Sequence, residues 1–220
     1  MVPLPGWIWI GGITLSAVAG MVNVIGYLGF AHQVVSHLTG TTSLLGLSLA
    51  QGDWSSAGIL WGVLIAFSVG ATISGLIVQD STLQLGRRYG VVLIIEAALL
   101  LASIPLFERL SFWGAWLAAM ACGLQNAMAT TYSGALLRTT HLSGMFTDLG
   151  IGLGHLLRGL PLPFRRLTLS GMVISGYLGG SVVGAWLFAP LKYHALLVPA
   201  AITGITGIAH VGYRQWMASR

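Results

Sequence analysis

Charge is what this chain has least of: only 7% of its 220 residues are Asp, Glu, Lys or Arg, with five acids against ten bases. A soluble domain carries about 25% charged residues, so a water-exposed surface cannot be made from this composition. Cysteine is almost missing as well. Cys122 stands alone in an apolar run, which excludes an intrachain disulfide and any cysteine-based metal cluster. There is no basic stripe to bind a nucleic-acid backbone, and no Gly-rich phosphate loop, nucleophile elbow or zinc-protease motif, so nothing requires an enzyme. No Lys or Arg precedes the first apolar run, which therefore reads as a retained span rather than a cleaved signal peptide.

What the chain has is apolar length. Hydrophobic residues make up 55% and the mean hydropathy is +0.85, so the expected solvent is lipid. Thirty-one glycines suit helices that pack backbone to backbone. Six stretches are long enough to cross a hydrocarbon core, which needs about 20 helical residues: 7–28, 57–78, 89–107, 112–136, 167–189 and 194–213. Two more, 37–52 and 141–157, are helical in pattern but short and rich in Ser, Thr and Gly. They are either thin full spans or half-helices that enter and leave on one face.

The basic residues favour half-helices. With eight spans, Lys and Arg divide six against four; with six, Arg87, Arg88, Arg138, Arg158, Arg165, Arg166, Arg214 and Arg220 share one side, opposite only Arg109 and Lys192. Eight against two is what the positive-inside rule expects, and it puts both termini in the cytoplasm. Trp7, Trp9, Trp54, Trp113 and Trp216 fall near span ends, where interfacial aromatics belong.

The chain also repeats itself. Ala-Gly-Met-Val-Asn at 19–23 answers Cys-Gly-Leu-Gln-Asn at 122–126, and Ser-His-Leu-Thr-Gly at 36–40 answers Thr-His-Leu-Ser-Gly at 140–144. Leu-Gly-Leu at 45–47 answers Leu-Gly-Ile at 149–151, and the Gly-x-x-x-x-Gly stretch at 70–75 answers that at 179–184. Matches in this order define duplicated halves, 1–108 and 109–220, forming one membrane domain. Three spans per half force the second copy upside down. The expected fold is all-α: six transmembrane helices plus two re-entrant half-helices, an inverted 3+3 repeat with a site near the midplane.

The motifs Gly20-x-x-Asn23, His37-Leu38-Thr39-Gly40-Thr41, Gly123-Leu124-Gln125-Asn126 and His141-Leu142-Ser143-Gly144 resemble the YoaK-like family of bacterial inner-membrane proteins, whose function is unassigned. The resemblance covers nearly the whole chain and implies six crossings of a bacterial cytoplasmic membrane, but no substrate. The family usually has Asp where Asn23 stands and Asn where Thr41 stands, so a charge available to the family is missing here.

Candidate site residues follow from the repeat. Thr39, Gly40 and Thr41 open one short helix and Ser143 and Gly144 the other; Ser and Thr are residues that cap exposed amides, and two inward-pointing helix starts would offer N–H groups and positive dipole ends to a solute. Capping and packing alone is the competing reading. Asn23, Gln125 and Asn126 sit inside apolar spans, as interhelical bonds or as walls of a shared cavity. His37 and His141 are mates that begin the short segments, either bonded structural groups or ligand and gate residues; the thin supply of carboxylates argues against a metal. Asp148 has an apolar mate and argues against a purely anion-selective pore.

Glu96 lies midway along the third span, where an ionised carboxylate facing lipid would cost about 3 kcal/mol or more. It is expected inside the bundle, neutral, beside Asn, Ser or Thr partners, either as a proton-coupling group or as a structural carboxyl. Gly176, Gly180 and Gly184 line one face of the fifth span, and Ala71 and Gly75 one face of the second, as packing surfaces.

The expected function is a small secondary transporter or channel for a small polar solute. Its partners are the bilayer and that solute, with no nucleic acid, no cofactor and no metal, and a homo-oligomer is compatible with the sequence. The alternative is a membrane scaffold or an intramembrane enzyme. A continuous polar cavity joining Asn23, Thr41, Asn126 and Ser143 would favour transport; a dry centre would favour the scaffold.

Overall fold

Runs whose frequent polar residues are Ser and Thr fold as helices in an apolar solvent because the helix absorbs their hydroxyls. Thr42 donates to the Leu38 carbonyl at 2.8 Å, Ser68 to Leu64 at 2.8 Å and Thr206 to Ile202 at 2.7 Å, so these hydroxyls need no water. The computed structural model describes residues 6–29, 35–78, 87–134 and 137–218; among them are eight α-helices, a 3-10 turn and no strand. The helices are α1 (Gly6–Gly29), α2 (Leu38–Gln51), α3 (Trp54–Ile77), α4 (Arg87–Glu108), α5 (Phe112–Tyr132), α6 (Leu142–Leu157), α7 (Phe164–Leu191) and α8 (Leu197–Ala218). Arg220 and the side chains of Trp7 and Arg87 lie outside the described residues.

Among the described residues, four stretches are long and apolar enough to cross a membrane: Ile8–Gly29, Trp54–Ile77, Arg88–Glu108 and Phe164–Met217. The last, 54 residues long, holds both α7 and α8, which separate where Lys192 takes φ 49°. Helix α5 has 21 residues, but the adjacent amides Gln125 and Asn126 lower its hydropathy. Helices α2 and α6, of 14 and 16 residues, rise only about 21 and 24 Å against a core of about 30 Å. Capping fixes several ends: Asp53 accepts from the Ser56 amide at 3.1 Å to start α3, and Gly52, at φ 72°, closes α2 just before it.

The surface is inverted relative to a soluble protein. Ile10, Ile65, Leu76, Leu178, Trp186, Ile205 and Ile208 are all more than half exposed, a liability in water and the solvated face in hydrocarbon. Trp54, Trp113 and Trp216 are exposed at helix ends as expected. The interior is made of small residues, with Ala115, Ala118, Ala119 and Ala121 of α5 buried among Val18 and Val22 of α1 and Leu100 and Ile104 of α4.

Small residues let the backbones touch. Helix α1 packs on α7, α3 on α5, and α4 on both α5 and α8, while α2 lies on α3 and α6 on α7. A Cβ on Gly20 would strike the Tyr177 carbonyl of α7, and one on Gly180 would strike the Ala17 backbone of α1. On the other pair, Gly70 of α3 meets the Met120 carbonyl and Gly123 of α5 meets the Phe67 carbonyl. The Gly176, Gly180 and Gly184 face is therefore a packing surface. The expected Ala71 and Gly75 face is not: a Cβ on Gly75 would meet open space, and the glycines of α3 that meet α5 are Gly62, against Trp116, and Gly70. Four-residue spacing marks a face of a helix without saying whether lipid or protein covers it.

Candidate functional site

The repeated His-Leu-Thr/Ser-Gly motif is a local unit. His37 and His141 are the N-cap residues of α2 and α6, and neither side chain makes a capping bond. Each imidazole instead folds over the glycine three residues on, so that a Cβ on Gly40 or Gly144 would collide with the ring of His37 or His141. Thr and Ser were expected to cap these starts and do not. They stand inside the first turn, and the Thr41 hydroxyl bonds back to the His37 carbonyl at 3.1 Å. The first-turn amides of both helices are thus left without side-chain caps, and an uncapped start keeps its partial positive charge.

Both starts open on one cavity of about 470 Å3. Asn23 of α1, Phe67 of α3, Asn126 of α5 and Tyr177 of α7 form its walls, with Ser36, His37, Leu38 and Thr39 on one side and Arg138, Thr140, His141, Leu142 and Ser143 on the other. The two asparagines differ. Asn23 Oδ1 accepts from the Ser36 amide at 3.1 Å and the Ser36 hydroxyl at 3.0 Å, whereas Asn126 Oδ1 is buried and has no partner. Tyr177 stands beside Ser36 and Asn23 and completes a polar wall.

A second cavity, of about 720 Å3, lies between α6 and α7 and shares Arg138 and His141 with the first. Its apolar wall includes Met145, Leu162, Phe164 and Leu169, and its polar wall includes Asp148, Arg165, Arg166 and Ser170. Asp148 is ion-paired with Arg166 at 2.6 Å and accepts from Ser170 at 3.5 Å. Arg165 Nε is buried with no partner. Among the described residues, no group of three His, Cys, Asp or Glu could hold a metal ion.

The sequence candidates therefore divide by place. Asn23, His37, Thr39, Asn126, His141 and Ser143 meet at the central cavity, whereas Gly144 and Asp148 line the second. Gly40 and Thr41 serve the helix start, and Gln125 bonds α5 to α1, its Nε2 donating to the Leu15 carbonyl at 3.0 Å. Glu96 lines neither cavity. It is buried inside the bundle as expected, near enough to Tyr89 and Cys122 for its charge to act on both, with Oε2 unpartnered. Its neutral form is the affordable one, since a buried charge needs a partner.

Sequence reasoning missed Arg138, Ser36, Thr140, Phe67 and Tyr177. Ser36 and Thr140 stood in plain view, immediately before the two repeated histidines. Arg138 carries weight only for topology in the sequence, although it lies three residues before His141, where the first half has the apolar Val34.

Helices with lipid-facing apolar surfaces, packed through glycine around a polar cavity, define a multi-helix membrane protein. The chain belongs to the family described as protein of unknown function (DUF1275), whose sequence profile matches residues 11–209 and so takes in every cavity residue named above. No curated protein and no solved structure matches it.

Proposed function

We propose that the protein is a small secondary transporter or channel that binds a small polar solute in the 470 Å3 cavity. The observation that carries this reading is where the two helix starts sit: on one polar cavity that draws on four further helices. A volume near 500 Å3 is typical of small-molecule sites, and the residues of the wall here are mainly polar, with Leu38, Phe67 and Leu142 as its apolar members.

An inverted repeat is part of the proposal, and the pairing of the walls supports it. Asn23 with Asn126, Ser36 with Thr140, His37 with His141, Leu38 with Leu142 and Thr39 with Ser143 are separated by 103 or 104 residues. Packing is reciprocal in the same sense: Gly20 against Tyr177 in the α1–α7 pair answers Gly123 against Phe67 in the α5–α3 pair. Six crossings, α2 and α6 re-entrant, both termini cytoplasmic and residence in a bacterial inner membrane complete the reading. Its supports are the eight-to-two division of Lys and Arg, the shortness of α2 and α6, and the likeness to the YoaK-like family.

The test is occupancy. A solute that binds the purified protein raises its melting temperature by mass action, and Thr39→Trp or Ser143→Trp, which fill the cavity from exposed positions, should remove the shift while leaving the fold intact. A shift that survives both substitutions places binding elsewhere. Glu96 is the proposed proton-coupling group, on the strength of its burial and its unpartnered Oε2. Glu96→Gln is expected to preserve binding and to abolish the dependence of uptake on a proton gradient in reconstituted vesicles. Unaltered proton-driven uptake by that variant would return Glu96 to packing.

A further inference from the structure

We infer that the solute is a small anion and that Arg138 binds its charge; this rests on the transport reading and names the substrate class of that same cavity. Arg138 borders both cavities, and among the described residues no carboxylate pairs with it. Among the described residues, none that lines the central cavity is acidic. Asp148, the one acid among the described residues that line the second, is held by Arg166 at 2.6 Å, so it no longer argues against a purely anion-selective pore. Arg165, on the same wall, keeps a buried Nε without a partner.

The formal charge and the helix ends at the cavity therefore share one sign. Two helix starts without capping side chains contribute partial positive charge to the cavity that the Arg138 guanidinium borders. A cation there would meet repulsion with no carboxylate among the described residues to offset it, and a neutral solute would leave the guanidinium and both helix ends without a negative partner. An oxyanion or carboxylate would accept from Arg138 with the forked geometry that guanidinium groups favour. Arg138 is also the cavity's break in symmetry, because the residue 104 positions earlier is Val34. The repeat supplies the polar shape twice and the charge once.

The experiment uses the full chain in neutral detergent, with inorganic phosphate, bicarbonate and acetate as anionic probes, glycerol and urea as neutral ones, and choline as a cation. Melting temperature and calorimetric binding are read for wild type, Arg138→Gln and Arg138→Lys. The expected result is stabilisation by at least one free anion and by no neutral or cationic probe. Arg138→Gln should weaken that binding about 10- to 150-fold and Arg138→Lys less, as loss of a hydrogen bond between charged groups implies. Arg138 is exposed, so both variants should melt at the wild-type temperature without probe. Preference for a neutral solute or for choline, undiminished in Arg138→Gln, overturns the anion and leaves the transport reading standing. A response only to phosphatidylglycerol vesicles assigns the charge to a lipid headgroup and overturns the solute. Silence towards every probe, in binding and in vesicle uptake, removes both.

Discussion

Gly180→Leu is expected to destabilise the protein by about 3 kcal/mol or more, at the upper end of what overpacking costs. The reason is backbone, not side chain. A Cβ at Gly180 would lie 2.6 Å from the Ala17 carbonyl carbon and closer still to its oxygen, and a helix backbone cannot turn aside as a rotamer can. Relief would require α1 and α7 to separate along the whole contact that Gly20, Gly176 and Gly184 also make, giving up close packing that no hydrophobic force restores in lipid. The neighbouring Gly179 is the control, since a Cβ there would meet nothing within 4 Å. Gly179→Leu should melt within a few degrees of wild type, and equal losses at the two positions would show that helix propensity, not contact, sets the cost.

The same glycines mark how far the sequence could be read. Helix positions were legible because apolar length has one main solution in lipid, and all eight segments appear close to their expected bounds. Which face of a helix meets protein was legible where the period continued, as at Gly176, Gly180 and Gly184, and not where two residues stood alone, as at Ala71 and Gly75. The capping role of Thr39 and Ser143 was misread for a different reason. Ser and Thr are good caps in general, but here the residue before each helix is a histidine whose ring covers Gly40 or Gly144, a three-dimensional fit that propensity does not encode. Arg138 is not legible from symmetry, which marks matched residues, because the one formal charge among the described residues of the central cavity has no mate. Glu96 was rightly expected inside the bundle, yet its neighbours come from helix packing that the third span alone could not reveal.

Asn126→Leu is expected to reduce solute uptake about 10- to 100-fold without lowering stability, while Asn23→Leu should lower both. Neither change greatly alters side-chain size, so the difference lies in hydrogen bonds. Asn23 Oδ1 receives two donors from Ser36, and its loss would strand the Ser36 amide and hydroxyl in a buried position, at about 1–3 kcal/mol for each unsatisfied group. Asn126 Oδ1 has already paid that desolvation without a partner. Replacing it with a methyl should therefore be neutral or stabilising for the empty protein. A buried acceptor kept at a net cost fits an anion that also brings a donor, such as the O–H of bicarbonate or of a partly protonated phosphate, because stability and function compete at such positions. Melting temperatures and initial uptake rates of the two variants in reconstituted vesicles separate the roles. Should Asn126→Leu transport at the wild-type rate, the unpartnered oxygen is a packing defect rather than part of the site.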